Sequence, residues 1–316
     1  MRIAGLKIDN PFVQAPMAGV TDYAFREVSR NFHSGLIYTE MISAEGLCRG
    51  NWKTMHYTRT TPEHRPVALR LVGRDAERMA EAARLAESME IDIIDINAGC
   101  PQVRIAATGS GGSLLKTPEK LASIVSAVRK AVSIPVSVKI RLGYTKNNCL
   151  ELANLVRDAG ADYITIHGRT VAQKFTGRSD WKAIKEVVGN IDIPVLANGD
   201  ARSEADAVAL LQDTGAAGVM IGRATRGRPD IIGTAHSLLE SGSFQRMDRG
   251  MLAETMLKHA NMEKELFGEL SGMKRMRKHV TWYMRAAKIE FDTHQVYSLE
   301  RISDLEGILE KCIPKD

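Results

Sequence analysis

The sequence has no run approaching the roughly 20 apolar residues that a membrane span needs, so no membrane-crossing segment is expected. Its start, MRIAGLKIDNPF, has no apolar core of the kind a secretory signal carries. Cysteine is scarce. Cys48, Cys100, Cys149 and Cys312 stand far apart with no CxxC pair, which argues against a zinc site or a disulfide framework. Free thiols in a reducing cytoplasm are expected. His167 has no HxxxE or HxH spacing to suggest a metal, and none is expected. No GxGxxG follows a strand-like run, so a reductant would have to visit the same cavity as the substrate. There is no low-complexity tract, and no repeat beyond short βα units.

What is present has the balance of a globular protein: 44% hydrophobic and 26% charged residues over a length of 316. That length accommodates one barrel of about 250 residues and a small appendage. A net charge of +5 and a pI near 9.0 permit a nucleic-acid partner without requiring one. The distribution says more. KRMRKHVTWYMRAAK (274–288) holds six Lys or Arg and no acid, whereas residues 241–316 together are nearly balanced.

Eight apolar, β-rich runs alternate with amphipathic stretches. They are FVQAPMAG (12–19), LIYTEMIS (36–43), PVALRLVG (66–73), IIDINAG (93–99), PVSVKIRL (135–142), YITIHGR (163–169), PVLANGD (194–200) and GVMIGRA (218–224). Near-continuous apolar runs suit parallel strands covered on both faces. Between them lie segments such as DAERMAEAARLAESM (75–89), apolar at every third or fourth position. This pattern predicts an α/β fold, a (β/α)8 TIM barrel over residues 1–240. A C-terminal all-helical domain over 241–316 follows, with helices near 250–267, 273–289 and 297–312.

Chemistry in such barrels sits at the C-terminal ends of the strands, and polar residues collect there: Asn97-Ala98-Gly99-Cys100-Pro101, Lys139 and Arg141, His167-Gly168-Arg169, Asn198-Gly199-Asp200, and Gly222-Arg223. The last two loops are the fold's usual phosphate grip. Lys139 should point into the mouth, toward an anion or electron-rich ligand, or else pair with a carboxylate such as Asp95. A thiol at Cys100 could act as a general acid, or as a nucleophile with His167 as its base. Residue chemistry alone leaves these two even.

The motifs PMAGVTD (16–22), RPVALRLVG (65–73), DINAGCP (95–101), VKIRLGY (138–144), TIHGRTVAQKFTGRSDW (165–181), ANGD (197–200), VMIGRATRGRP (219–229) and RMRKHVTWY (275–283) resemble the tRNA-dihydrouridine synthases in order and over nearly the whole chain. The resemblance implies reduction of the C5–C6 double bond of a uridine in tRNA. FMN would deliver hydride to C6, NADPH would be the reductant, and Cys100 would protonate C5. It places Pro16, Met17, Ala18, Arg70, Lys139, His167, Asn198, Gly199, Asp200, Gly222 and Arg223 around FMN. Asn97, Arg104, Arg141 and Arg169 would face the substrate, and Lys274, Arg275, Arg277 and Lys278 would hold tRNA phosphates. The family usually has Gln where this chain has Arg70. A monomer is expected.

Overall fold

The eight apolar runs form eight parallel strands, each near the position that hydrophobic patterning predicts. The computed structural model describes residues 2–313 apart from Ala4 and Ser34. A short antiparallel hairpin, β1 (Arg2–Ile3) and β2 (Leu6–Lys7), precedes the barrel; it was not expected. The barrel strands are β3 (Phe12–Gln14), β4 (Ile37–Ser43), β5 (Val67–Val72), β6 (Ile93–Asn97), β7 (Val136–Arg141), β8 (Tyr163–His167), β9 (Val195–Asn198) and β10 (Gly218–Ile221). Their order is 3-10-9-8-7-6-5-4, so the seam between β3 and β4 closes the barrel without a ladder pair among the described residues.

Period-two alternation divides each strand between two layers. Val13, Tyr38, Ala68, Ile93, Tyr163, Leu196 and Met220 fill the barrel interior. Their neighbours Phe12, Ile37, Val67, Leu69, Ile94, Ile164 and Val219 pack outward against helices. Tyr38 and Tyr163 share a hydrogen bond of 2.8 Å across the interior. Two residues further along each inward row come Arg70, Asp95 and Lys139, then Asn97, Arg141 and His167. The alternation that builds the core thus also aims polar groups at the mouth.

The helices are α1 (Tyr23–Arg30), α2 (Ala44–Cys48), α3 (Trp52–Thr58), α4 (Ala76–Glu87), α5 (Val103–Ala106), α6 (Pro118–Ala131), α7 (Cys149–Asp158), α8 (Trp181–Asn190), α9 (Glu204–Thr214) and α10 (Ile231–Ser241). Side-chain caps start several of them: Asp75 accepts from Arg78 N, Asp180 from Ala183 N, and Ser203 from Asp206 N.

The tail comprises α11 (Arg249–Phe267), α12 (Glu269–Ala286), α13 (Thr293–Tyr297) and α14 (Ile302–Cys312). Three helices were expected there. A fourth, α13, precedes the third expected span: Asp292 caps α13, while the Asp304 carboxylate accepts from Glu300 N and Arg301 N at the start of α14. Met256, Met273, Met276, Val280, Tyr283 and Leu305 form a core separate from the barrel's. The tail docks on the loop after β10. Gly227, at φ 71, lies so close to helix α12 that a Cβ there would stand 2.2 Å from the Trp282 carbonyl oxygen. No described helix is long and apolar enough to cross a membrane.

Candidate active site

A cavity of about 760 Å³ opens at the C-terminal ends of the strands. Its lining includes Pro16, Met17, Ala18, Arg70, Asn97, Cys100, Lys139, Arg141, His167, Asn198, Gly199, Asp200, Gly222 and Arg223, all expected from the sequence. Met41, Phe175, Arg202 and Arg226 also line it and were not anticipated.

Cys100 sits on a turn built to hold it. The Asn97 Oδ1 atom accepts from the backbone N–H groups of Gly99 and Cys100, each at 3.1 Å. Asn97 was expected to face a substrate base; its carboxamide oxygen instead shapes this turn, and its Nδ2 donates to Met41 Sδ. From the other side Gly112 N donates to Cys100 O at 3.0 Å. A Cβ on Gly112 would lie 2.8 Å from that same oxygen, so only glycine fits. The run GSGGS (109–113) was the available signal for this support.

The strands on either side of that turn carry cations. Lys139 Nζ donates to Asn198 Oδ1 at 2.7 Å. The alternative pairing of Lys139 with Asp95 is not what forms: Asp95 takes Arg70, 3.3 Å away, and accepts from Ser137 Oγ at 2.8 Å. Burial, then Arg70 and Arg141, push the Lys139 ammonium well below its ordinary value. Crowding of the cationic side chains Lys139, Arg70 and Arg141 leaves this region in need of an electron-rich partner. His167 Nδ1 is buried without a hydrogen-bond partner among the described residues. Burial, reinforced by Lys139, Arg141, Arg169 and Arg223, drives the His167 imidazole far below its usual value. It is therefore neutral.

Several residues expected to touch ligand instead hold the site together. Asn198 orients Lys139, and its Nδ2 donates to Met220 O. Asp200 was placed on a phosphate, but a carboxylate repels one. Its Oδ2 accepts from Arg169 Nη2 at 2.7 Å and from Ser179 N at 2.8 Å, and Arg223 lies 3.4 Å from its Oδ1. Arg169 was expected at the substrate; it is fully buried and also donates to the carbonyls of Thr176 and Gly177. Arg141 lines the cavity, yet it donates to the carbonyls of Gly99, Thr170 and Lys174. It ties the Cys100 turn to the loop after β8. Trp181 Nε1 donates to Gly199 O at 3.0 Å and braces the turn after β9. Arg223 remains about half exposed, beside Phe175. Arg104 is exposed on α5 and does not line the cavity.

The basic tail segment also departs from expectation. Arg275 donates to Glu263 and Asp22 at 2.6 and 2.7 Å. Arg277 donates twice to Leu299 O. Lys278 is half-buried, and burial lowers its ammonium while Asp22, Glu263 and Glu40 pull the other way. Of the four residues expected on tRNA phosphates, only Lys274 is exposed.

The family model described as dihydrouridine synthase matches residues 13–312. The chain belongs to the dihydrouridine synthase family. It is 38% identical over 281 residues to a probable tRNA-dihydrouridine synthase of Rhizobium leguminosarum bv. phaseoli, covering 88% of this chain and 86% of that protein. It is 37% identical over 291 residues to tRNA-dihydrouridine synthase B of Vibrio parahaemolyticus, covering 90% and 89%. An old yellow enzyme homologue from Zymomonas mobilis shares the fold, with a TM-score of 0.54 at 14% identity over 80% of this chain and 94% of that one. Histamine dehydrogenase from Rhizobium sp. 4-9 matches with a TM-score of 0.54 at 12% identity, over 83% of this chain and 50% of that one. For a dihydrouridine synthase family member, the cavity at the strand ends is the place to look for chemistry.

Proposed function

We propose that this chain reduces the C5–C6 double bond of a uridine in tRNA to 5,6-dihydrouridine, with FMN as bound cofactor, NADPH as reductant and Cys100 as proton donor. The observation that carries the reading is Cys100 on its braced turn, lining a cavity that also presents the side-chain nitrogens of Lys139, Arg70 and His167. Those atoms suit the polar edge of a flavin ring. Arg223, with the Gly199 and Gly222 turns, suits its phosphate. Pro16, Met17 and Ala18 supply a mostly apolar surface for the ring. When bound, the reduced cofactor supplies the hydride that adds to C6 of the uracil.

The chain's own residues do the rest. The Cys100 thiol gives its proton to C5. His167 is too far depressed to take up a proton, which disfavours a nucleophilic Cys100 with His167 as base. Lys139, kept in place by Asn198, stabilises negative charge at the cofactor edge. The ion pair of Arg70 with Asp95 draws that guanidinium to the wall, which supports a cavity open to cofactor. The target base has to leave its stack to reach this depth. Arg104, Arg226 and Lys274 are exposed cations that could meet phosphates around the mouth. We place the activity in the cytoplasm and in a monomer.

Mass-spectrometric mapping of dihydrouridine in tRNA tests the reading. Cells lacking this protein should lose the modification at specific uridines, and the purified protein should be yellow. Unchanged dihydrouridine together with a colourless protein that cannot be reconstituted with FMN would overturn it.

A further inference from the structure

Away from the cavity, α1, α11 and α12 enclose a second set of polar side chains that the proposed reaction does not use. Asp22, His259 and Glu263 are all buried, and one potential ligand atom of each lies within 4.8 Å of the others. His259 Nε2 and Glu263 Oε1 have no hydrogen-bond partner among the described residues and stand 4.0 Å apart. Both residues are 0% exposed. A buried lone pair left unmet is costly, so such atoms call for an occupant.

The remaining atoms of the three residues are already held. His259 Nδ1 lies 3.2 Å from Tyr283 Oη. Glu263 Oε2 accepts from Arg275 Nε at 2.6 Å, and Asp22 Oδ2 from Arg275 Nη2 at 2.7 Å. Asp22 Oδ1 accepts from Phe25 N at 3.1 Å and keeps a second lone pair. This is how metal ligands are usually oriented: the imidazole's other nitrogen and the carboxylates' other oxygens are anchored, leaving the inner atoms to converge. Zinc bonds of about 2.0 Å at tetrahedral angles put donor atoms about 3.3 Å apart, so the 4.0 Å between these two would close by a small side-chain adjustment on binding. The Asp22 and Glu263 carboxylates share the guanidinium of Arg275, and Arg26 also interacts with Asp22. Lys278 stands nearby, with its ammonium disfavoured by burial. The His279 ring lies 4.6 Å from that of His259, with both its nitrogens unpartnered among the described residues.

We propose that Asp22, His259 and Glu263 bind a divalent transition-metal ion of the zinc class. Asp22 begins the first barrel helix, and the other two belong to the tail. The ion would therefore join the two cores behind the PMAG segment that lines the cavity. The inference is independent of the redox reading, because neither flavin nor tRNA takes part in it.

The test uses the full-length protein, stripped with a chelator and titrated with zinc against a chromophoric competitor, with Tm followed in parallel. The expected result is one zinc per chain and a Tm raised by several degrees. Tyr283→Phe, which keeps the ring and removes only the anchor of His259, should weaken zinc binding ~10–100-fold. His259→Gln and Glu263→Gln should weaken it further. A wild-type protein that takes up no stoichiometric zinc, or binding that survives in both ligand variants, overturns the proposal. In the first case a proton shared between the neighbouring Asp22 and Glu263 carboxyls is the occupant instead.

Discussion

The cavity mouth and helix α12 look alike in the sequence, each a cluster of Lys and Arg, and the fold treats them oppositely. At the mouth, Lys139, Arg70 and Arg223 keep donors or exposed charge directed at an open space. On α12, Arg275 and Arg277 turn inward and spend their donors on Asp22, Glu263 and the Leu299 carbonyl. The lesson concerns what surrounds a charge rather than the charge itself. A barrel mouth is lined by strand ends whose own backbone groups are already paired, so inward side chains are left for a ligand. A helix docked on a barrel meets carboxylates and frayed carbonyls of its neighbour, and its cations find partners within the protein.

This contrast can be broken at both places. The largest expected effect is at the mouth: Cys100→Ala should slow dihydrouridine formation by about 10²–10⁴-fold while FMN stays bound. Full activity in that variant, measured on tRNA lacking the modification, would remove Cys100 from its role. Next comes Arg275→Ala. It strips the shared partner from two buried carboxylates and should cost about 3 kcal/mol in urea unfolding; a loss below roughly 1 kcal/mol would mean that the pair is no more than a surface contact. Arg277→Ala should lower stability by about 1 kcal/mol through two lost hydrogen bonds, with the salt dependence of tRNA affinity unchanged. Lys274→Ala should do the reverse: stability holds, and the slope of log affinity against log salt flattens by about 0.7–0.9, one phosphate contact. If the Arg277 and Lys274 results were exchanged, the assignment of inward and outward charge on α12 would be wrong.

A smaller effect concerns pH. Hydrogen bonds from Ser179 N and Arg169 outweigh burial and lower the Asp200 carboxyl below its ordinary value. The sign follows from that depression: its contribution is complete above the ordinary carboxylate range and is lost only as pH falls through the lowered value. FMN retention in wild-type protein should then be flat from neutral to mildly acidic pH. Loss beginning near neutrality would point to another group.

Much of the barrel could be read in advance because its signals are local. Apolar runs of four to eight residues, bounded by Pro and Gly, mark all eight strands, and alternation within VSVKIRL is enough to send Lys139 inward. The cavity's position follows from the same rule, so Cys100, His167 and Gly222 could be named from order alone. The roles of Asn97, Arg141, Arg169, Asn198 and Asp200 could not. Each sits at the right place in the chain, but whether its side chain meets ligand or protein depends on loops far away in sequence. Arg141 bonds to residues 29 and 33 positions later, and Arg169 to Asp200.

By itself the sequence located the eight strands, the helical tail after the barrel and the family, since periodicity and motif order survive any folding detail. Only the tertiary structure decided which partner each buried cation takes. That choice rests on partners brought together over long separations: Asp95 for Arg70, Asn198 for Lys139, and Asp22 with Glu263 for Arg275. Desolvation makes every buried charge find such a partner, and no local pattern says which one will be there.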